Sequence, residues 1–277
     1  MTTVFFDIDT QIDFLYPAGA LYVPEAERLV PSLARLNHYA AAHSIPLIST
    51  TDAHAEDDPE FRDWPPHCVA GTHGQQKPAA TLLEKRVVIP AAPGEYDIAG
   101  AQQIILETQA LDMFTNPNLP ALLERLSADR YVVYGVVTEY CVRCAAMGLL
   151  PLGKPVELVT DAIQTLNPDD ARRTLDQFRR RRPPDHGRRS LLRVKARSPS
   201  QPEKAVLLRT HFFAAREDPA ALAGGVGSPA CCRQSCRHWF PAGPQAGWTA
   251  GRKPEAHPTR RQTRAGDRSI GLRLAVL

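Results

Sequence analysis

The feature that most constrains this chain is an alternation that runs from the N-terminus to about residue 180 and then stops. Short apolar runs alternate with segments whose apolar positions recur at three- and four-residue steps. Residues 4–8, 45–50, 86–89, 103–106, 131–137 and 155–159 have the strand pattern, and 24–43, 119–126, 141–150 and 168–178 the helical one. Strands alternating with helices imply right-handed crossovers and a parallel sheet covered on both faces. The expected fold class is therefore α/β, a three-layer α/β/α arrangement around a central parallel sheet, Rossmann-like in plan. In such sheets functional residues collect beyond the carboxyl ends of the strands.

The break near residue 180 is also compositional. Residues 1–180 carry 14 Lys+Arg against 24 Asp+Glu, a balance of −10, whereas residues 181–277 carry 19 against 6, a balance of +13. The second segment opens inside the run Arg179-Arg180-Arg181-Arg182, is rich in Arg, Pro and Gly, and keeps no period of 2 or 3.6. The expected organisation is a hydrolase-sized domain over 1–180 and an irregular basic extension over 181–277, disordered or translated out of frame. A nucleic-acid partner for that extension is not expected. Its Cys231, Cys232, Cys236 and His238 lie within eight residues, with no second half to fold around, and are not taken as a metal site. No apolar run reaches 18 residues and the first residues lack a signal-peptide pattern, so the expectation is a cytoplasmic protein without membrane contact, its cysteines thiols rather than disulfides.

Three stretches carry chemistry, each placed just after a strand pattern. The first is Asp7-Ile8-Asp9-Thr10-Gln11-Ile12-Asp13-Phe14. Its opening D-x-D-x-T matches a phosphatase nucleophile turn, and two carboxylates at a strand end could also bind Mg²⁺. The second is Thr51-Asp52-Ala53-His54, followed by Trp64-Pro65-Pro66-His67-Cys68-Val69-Ala70-Gly71-Thr72. One carboxylate and two imidazoles (Asp52, His54 and His67) leave positions open on a divalent ion, which is the arrangement of a working rather than a structural site. The third is Gly135-Val136-Val137-Thr138-Glu139-Tyr140-Cys141-Val142. A cysteine between strand and helix sits near a helix N-terminus, where the dipole favours thiolate and free N–H groups can hold an oxyanion. Cys144, one turn on, is read as a core residue.

Together these stretches resemble the isochorismatase-like cysteine hydrolases, and among them the nicotinamidases. The resemblance rests on D-x-Q-x-D-F, D-x-H, W-P-x-H-C-V-x-G-T-x-G and G-x-x-T-x-x-C-V, in that order, and spans roughly residues 3–178. The phosphatase pattern accounts for only one of the four. The resemblance implies Cys141 as nucleophile on an amide carbonyl, Asp9 as acid/base, and an oxyanion hole from the N–H groups of Cys141 and Val137 behind a cis Val136–Val137 bond. It implies a divalent metal (Zn, Mn or Fe) on Asp52, His54 and His67, Phe14 and Trp64 against the substrate ring, a small-molecule amide substrate and a possible homo-oligomer.

Two departures from the pattern matter. A lysine is expected after the third strand, and the matching position holds Thr108, whose hydroxyl brings no charge; Lys85 is the available substitute. The function expected is hydrolysis of nicotinamide to nicotinate and ammonia. The alternatives are another small amide or ureide, or a weakly active or silent member because of Thr108. The second departure is that the arginine run begins where a last short strand should start, which would leave a sheet edge bare.

Overall fold

The computed structural model describes residues 1–181 and the backbone of Leu191–Leu192. Expectations for the rest of the 181–277 extension, including its cysteine cluster, lie outside the described residues.

Seven parallel strands form one sheet in the order β3-β4-β2-β1-β5-β6-β7. They are β1 (Thr3–Ile8), β2 (Leu47–Asp52), β3 (Arg86–Ile89), β4 (Gln103–Thr108), β5 (Arg130–Gly135), β6 (Val156–Ile163) and the two-residue β7 (Leu191–Leu192). The helices are the single turn α1 (Ile12–Leu15), then α2 (Val30–Ala42), α3 (Leu119–Leu126), α4 (Cys141–Leu149) and α5 (Pro168–Arg181).

Alternation along the strands sorts the core into two layers. Val4, Phe6 and Ile8 join Val133, Leu158 and the apolar faces of α3, α4 and α5. Phe5, Leu47, Val132 and Tyr134 pack instead on α1 and α2 through Phe14, Leu33 and Leu36. This is the expected three-layer α/β/α fold. The strands are buried on both faces, which is why they appear as nearly continuous apolar runs.

Strand order reverses at β1, with β2 and β4 on one side and β5 and β6 on the other. A crevice opens where order reverses, beyond the carboxyl ends of the strands. Its walls are the residues after β1 and those after β5. Strand β5 stops at Gly135, two residues short of the expected end, and the Val136–Val137 peptide is cis.

The end of the domain departs from expectation in two respects. Helix α5 runs through Arg181, so Arg179, Arg180 and Arg181 form its last turn, opposite Asp169 and Asp170 in its first. Both placements complement the helix dipole. Beyond it, Leu191 and Leu192 pair with Leu158 and Val159, so the β6 edge is not bare. The arginines belong to the helix, and two leucines further on supply the strand.

Candidate active site

Asp9 follows β1 directly, in a left-handed backbone conformation (φ 46°) that turns its side chain into the crevice. Thr50 on neighbouring β2 holds it twice: its hydroxyl accepts from the Asp9 N–H (3.1 Å) and donates to Asp9 Oδ1 (2.5 Å). The Cys141 thiol donates to the same carboxylate. Burial, with the Asp52 charge second, raises the Asp9 pKa to about 7. Cys141 is the first residue of α4, whose first N–H groups have no acceptor inside the helix.

The expected thiolate is corrected by its surroundings. Burial, then the carboxylates of Asp9 and Asp52, push the Cys141 thiol well above its ordinary value. A helix terminus lowers a cysteine pKa where solvent shares the load; here desolvation and like charge outweigh it. Cys141 therefore rests as a thiol, its proton directed at Asp9. Cys68 and Cys144 are buried free thiols, and burial also raises Cys68.

Asp52 ends β2, and His54 pairs across to Val69 in a parallel bridge that brings the loop of His67 alongside. The Asp52, His54 and His67 ligand atoms lie within 4.8 Å of one another, and all three residues are buried. The second nitrogen of each ring is tied down: His54 Nδ1 to Asp58 at 3.0 Å and His67 Nδ1 to the Pro65 carbonyl at 2.7 Å. Both Nε2 atoms then face Asp52 Oδ2, at 3.8 and 3.9 Å, too far for hydrogen bonds. His54 Nε2 is buried with no hydrogen-bond partner among the described residues. Burial opposes an imidazolium there, yet Asp52 and Asp58 outweigh it and raise His54 to about 9, while burial lowers His67. An orphaned nitrogen between a carboxylate and a second imidazole fits a divalent ion of the zinc, manganese or iron type.

The first motif supplies the bracing. Gln11 accepts from the Asp52 N–H and donates to the Asp52 and Gln75 carbonyls, which locks the carboxyl end of β2. Asp13 accepts from the Cys68 N–H at 2.7 Å, fixing the residue next to His67.

A cleft with about 380 Å³ of empty space joins the nucleophile to the histidine cluster. That is within the ~300–1,000 Å³ usual for small-molecule sites. Phe14, Trp64, Val137 and Tyr140 give it apolar walls, with Cys141 on one side and Asp52 and His67 on the other. Trp64 stands edge-on to Tyr140 at 5.5 Å, and Phe14 is 5.4 Å from the His67 ring.

Thr108 is buried at the end of β4, and its hydroxyl donates to Asp52 Oδ1 at 3.0 Å. It also lines a narrow space, about 170 Å³, with Asp9, Thr50 and Cys141. The substitute considered for the missing lysine is excluded: Lys85 is exposed and precedes β3 at the amino end of the strands, opposite the crevice.

Four residues near the site escaped the motif reading. Thr50 lies inside a strand pattern and announces nothing. Glu60, on the short turn Pro59–Arg62, lines the cleft, and burial with the Asp52 charge raises it to about 7. Glu139, inside the third motif, accepts from the N–H groups of Leu166 and Asn167 and the Thr165 hydroxyl, tying the nucleophile turn to the loop after β6. Lys77 reaches under Asp9 from the loop after His67.

Comparison with known proteins gives consistent likenesses. The isochorismatase domain profile matches residues 92–183. A nicotinamidase of Escherichia coli (strain K12) is 25% identical over 179 residues, covering 58% of this chain and 82% of that protein. A nicotinamidase of Saccharomyces cerevisiae is 22% identical over 190 residues, covering 58% and 88%. The crystal structure of the pyrazinamidase of Pyrococcus horikoshii in complex with zinc superposes with a TM-score of 0.57 at 26% identity, covering 71% of this chain and all of that one. With the parallel-sheet fold and four motifs gathered at one crevice, these likenesses identify the chain as a member of the isochorismatase-like superfamily, similar to the nicotinamidases.

Proposed function

We propose that this protein is a cysteine amidohydrolase that converts nicotinamide, or a closely similar aromatic amide, to the acid and ammonia. The observation that carries the reading is the Cys141 thiol hydrogen-bonded to Asp9 at one end of a cleft whose other end is the Asp52/His54/His67 cluster. An amide of that size would span a nucleophile and an anchoring group from one flat ring.

Asp9 takes the thiol proton as Cys141 sulfur bonds to the amide carbon, and the negative charge on the former carbonyl oxygen falls to the N–H groups of Cys141 and Val137. Asp9 returns the proton to the nitrogen, the C–N bond breaks and ammonia leaves. Water then loses a proton to Asp9 and attacks the thioester, and the C–S bond breaks to release the acid and restore the thiol. Phe14 and Trp64 hold the ring and exclude water from the cleft. A divalent ion on Asp52, His54 and His67 would supply a Lewis-acidic anchor for the ring nitrogen.

The test is ammonia release from nicotinamide by purified protein with Zn²⁺, Mn²⁺ or Fe²⁺ present. Turnover is expected, and Cys141→Ala is expected to lose at least about a thousandfold of it. Absence of turnover with nicotinamide, alongside turnover of a ureide or another small amide, would move the substrate assignment while keeping the nucleophile. A slow enzyme is the second reading, favoured by Thr108, whose hydroxyl is spent on Asp52 rather than on the Asp9–Cys141 pair.

A further inference from the structure

Nucleophilic attack by Cys141 requires the Asp9–Cys141 pair to carry one negative charge in a buried place. Burying a charge is costly unless a counter-charge is near. The position where the superfamily resemblance implies a lysine holds Thr108, on the α4 face of the sheet by strand alternation. The opposite face carries Lys77, the one Lys or Arg that is buried among the described residues.

The Lys77 ammonium donates to the Thr50 main-chain carbonyl at 3.2 Å and lies 3.4 Å from Asp7 Oδ2. Both side chains of that ion pair are essentially inaccessible, at 1% and 0% exposure. Thr50 is the residue that grips Asp9 through its hydroxyl. Asp7 does not depend on the lysine for partners: it accepts from Thr10 Oγ1 at 2.7 Å, Ser49 Oγ at 3.1 Å and Asn37 Nδ2 at 3.2 Å. A buried ammonium beside an already well-hydrogen-bonded carboxylate, one strand position from the acid/base, calls for a role beyond neutralising Asp7.

We propose that Lys77 is a positioning residue for Asp9: its ammonium fixes Thr50 and supplies, through the sheet from the α2 side, the positive charge that Thr108 cannot supply from the α4 side. The inference rests on the Asp9–Cys141 assignment above. The charged or titratable groups facing Asp9 are Asp52 at the end of β2, Cys141 on α4 and Lys77; Lys77 is the cation of this set and favours the carboxylate. Asp7, two residues back on β1, faces the lysine rather than the crevice.

The test reads the pair directly and needs no substrate: the rate of Cys141 alkylation by iodoacetamide across pH 5 to 9, followed by peptide mass spectrometry of the full-length protein. Lys77→Met is expected to move the rise of that profile up by about one pH unit, about a tenfold slower reaction on its acid side. Lys77→Met leaves Asp7 unpaired, so the charge-balanced variant Asp7→Asn/Lys77→Met carries the test if the single variant fails to fold. A lysine that merely neutralised Asp7 would leave the double variant's profile superimposed on the unaltered protein's, and that result overturns the proposal. If the upward shift persists, adding Thr108→Lys should bring the profile back, because a cation then returns from the other face. A shifted profile in a protein that does not hydrolyse nicotinamide would sink the substrate assignment and leave the role of Lys77 standing; a normal profile in an active enzyme would do the reverse.

Discussion

At the scale of single residues, the chemistry turns on which group of a buried pair holds the proton. Cys141 holds it at rest, since burial and two carboxylates raise the thiol, so activity needs Asp9 as carboxylate. Burial and Asp52 place the Asp9 transition at about 7, and the ionised form exists above it. The sign is therefore fixed: kcat/KM should fall about tenfold per pH unit on the acid side and level off above. A divalent cation on Asp52 weakens the second cause of the raised pKa, so the limb of the loaded enzyme should lie below that of protein with little metal. A pH–rate profile at two metal concentrations checks both statements, and a limb that moves upward with metal would contradict them. Thr108→Lys should raise kcat by about tenfold or more if charge beside the pair limits the rate, read from steady-state kinetics with the resting pH profile as control. Unchanged kcat in a folded variant would mean that Thr108 is no impairment.

At the scale of elements, the strand ends deliver the site, and their local rules can be tested. Gly135 ends β5 with φ +122°, and a Cβ there would meet the Ile8 carbonyl oxygen at 2.1 Å. Both obstacles are backbone, so they cannot be relieved by a rotamer change. Gly135→Ala should cost about 3 kcal/mol of folding stability and displace the Asp9 and Cys141 strand ends together, measurable by urea unfolding and loss of turnover. A variant with wild-type stability would refute that account. The same strand ends explain what could be read from the chain alone. Residues 4–8, 86–89 and 103–106 declared strands because parallel strands covered on both sides must be apolar throughout, and Asp9, Asp52, His54, His67 and Cys141 followed such runs in recognisable spacing. Thr50 and Lys77 were hidden for a different reason. Thr50 looks like any strand threonine, and Lys77 meets its partner Asp7 across 70 residues of sequence from a loop without period. The Cys141 setting was misjudged because a helix N-terminus is local, whereas the carboxylates that overrule it come from β1 and β2. Helix α5 was ended too early because Arg179–Arg181 were taken as the start of a new composition rather than as a last turn.

At the scale of the whole molecule, the histidine cluster is where distant segments are joined, so metal binding and folding should be coupled. Asp52 and His54 ride on the end of β2, and His67 on a loop held by Asp13 from beyond β1. The unfolded chain has no such convergence, so a ligand of the cluster favours the folded state. At a free concentration a hundred times its dissociation constant it adds about 2.7 kcal/mol, and for a domain of this size about 5–10 °C in Tm. Manganese is the better probe than zinc, because Cys231, Cys232 and Cys236 would attract zinc through thiolate in any state of the chain, and that would blunt the effect. The expected result is a concentration-dependent rise in Tm with Mn²⁺ that is absent from His54→Ala/His67→Ala. Asp58→Asn should weaken the effect without abolishing it, about 10- to 100-fold in apparent affinity, because Asp58 only orients the His54 ring. If the double variant keeps the full rise in Tm, the ion binds elsewhere. The orphaned His54 Nε2 would then need another explanation, and the anchor assigned to the substrate ring would go with it.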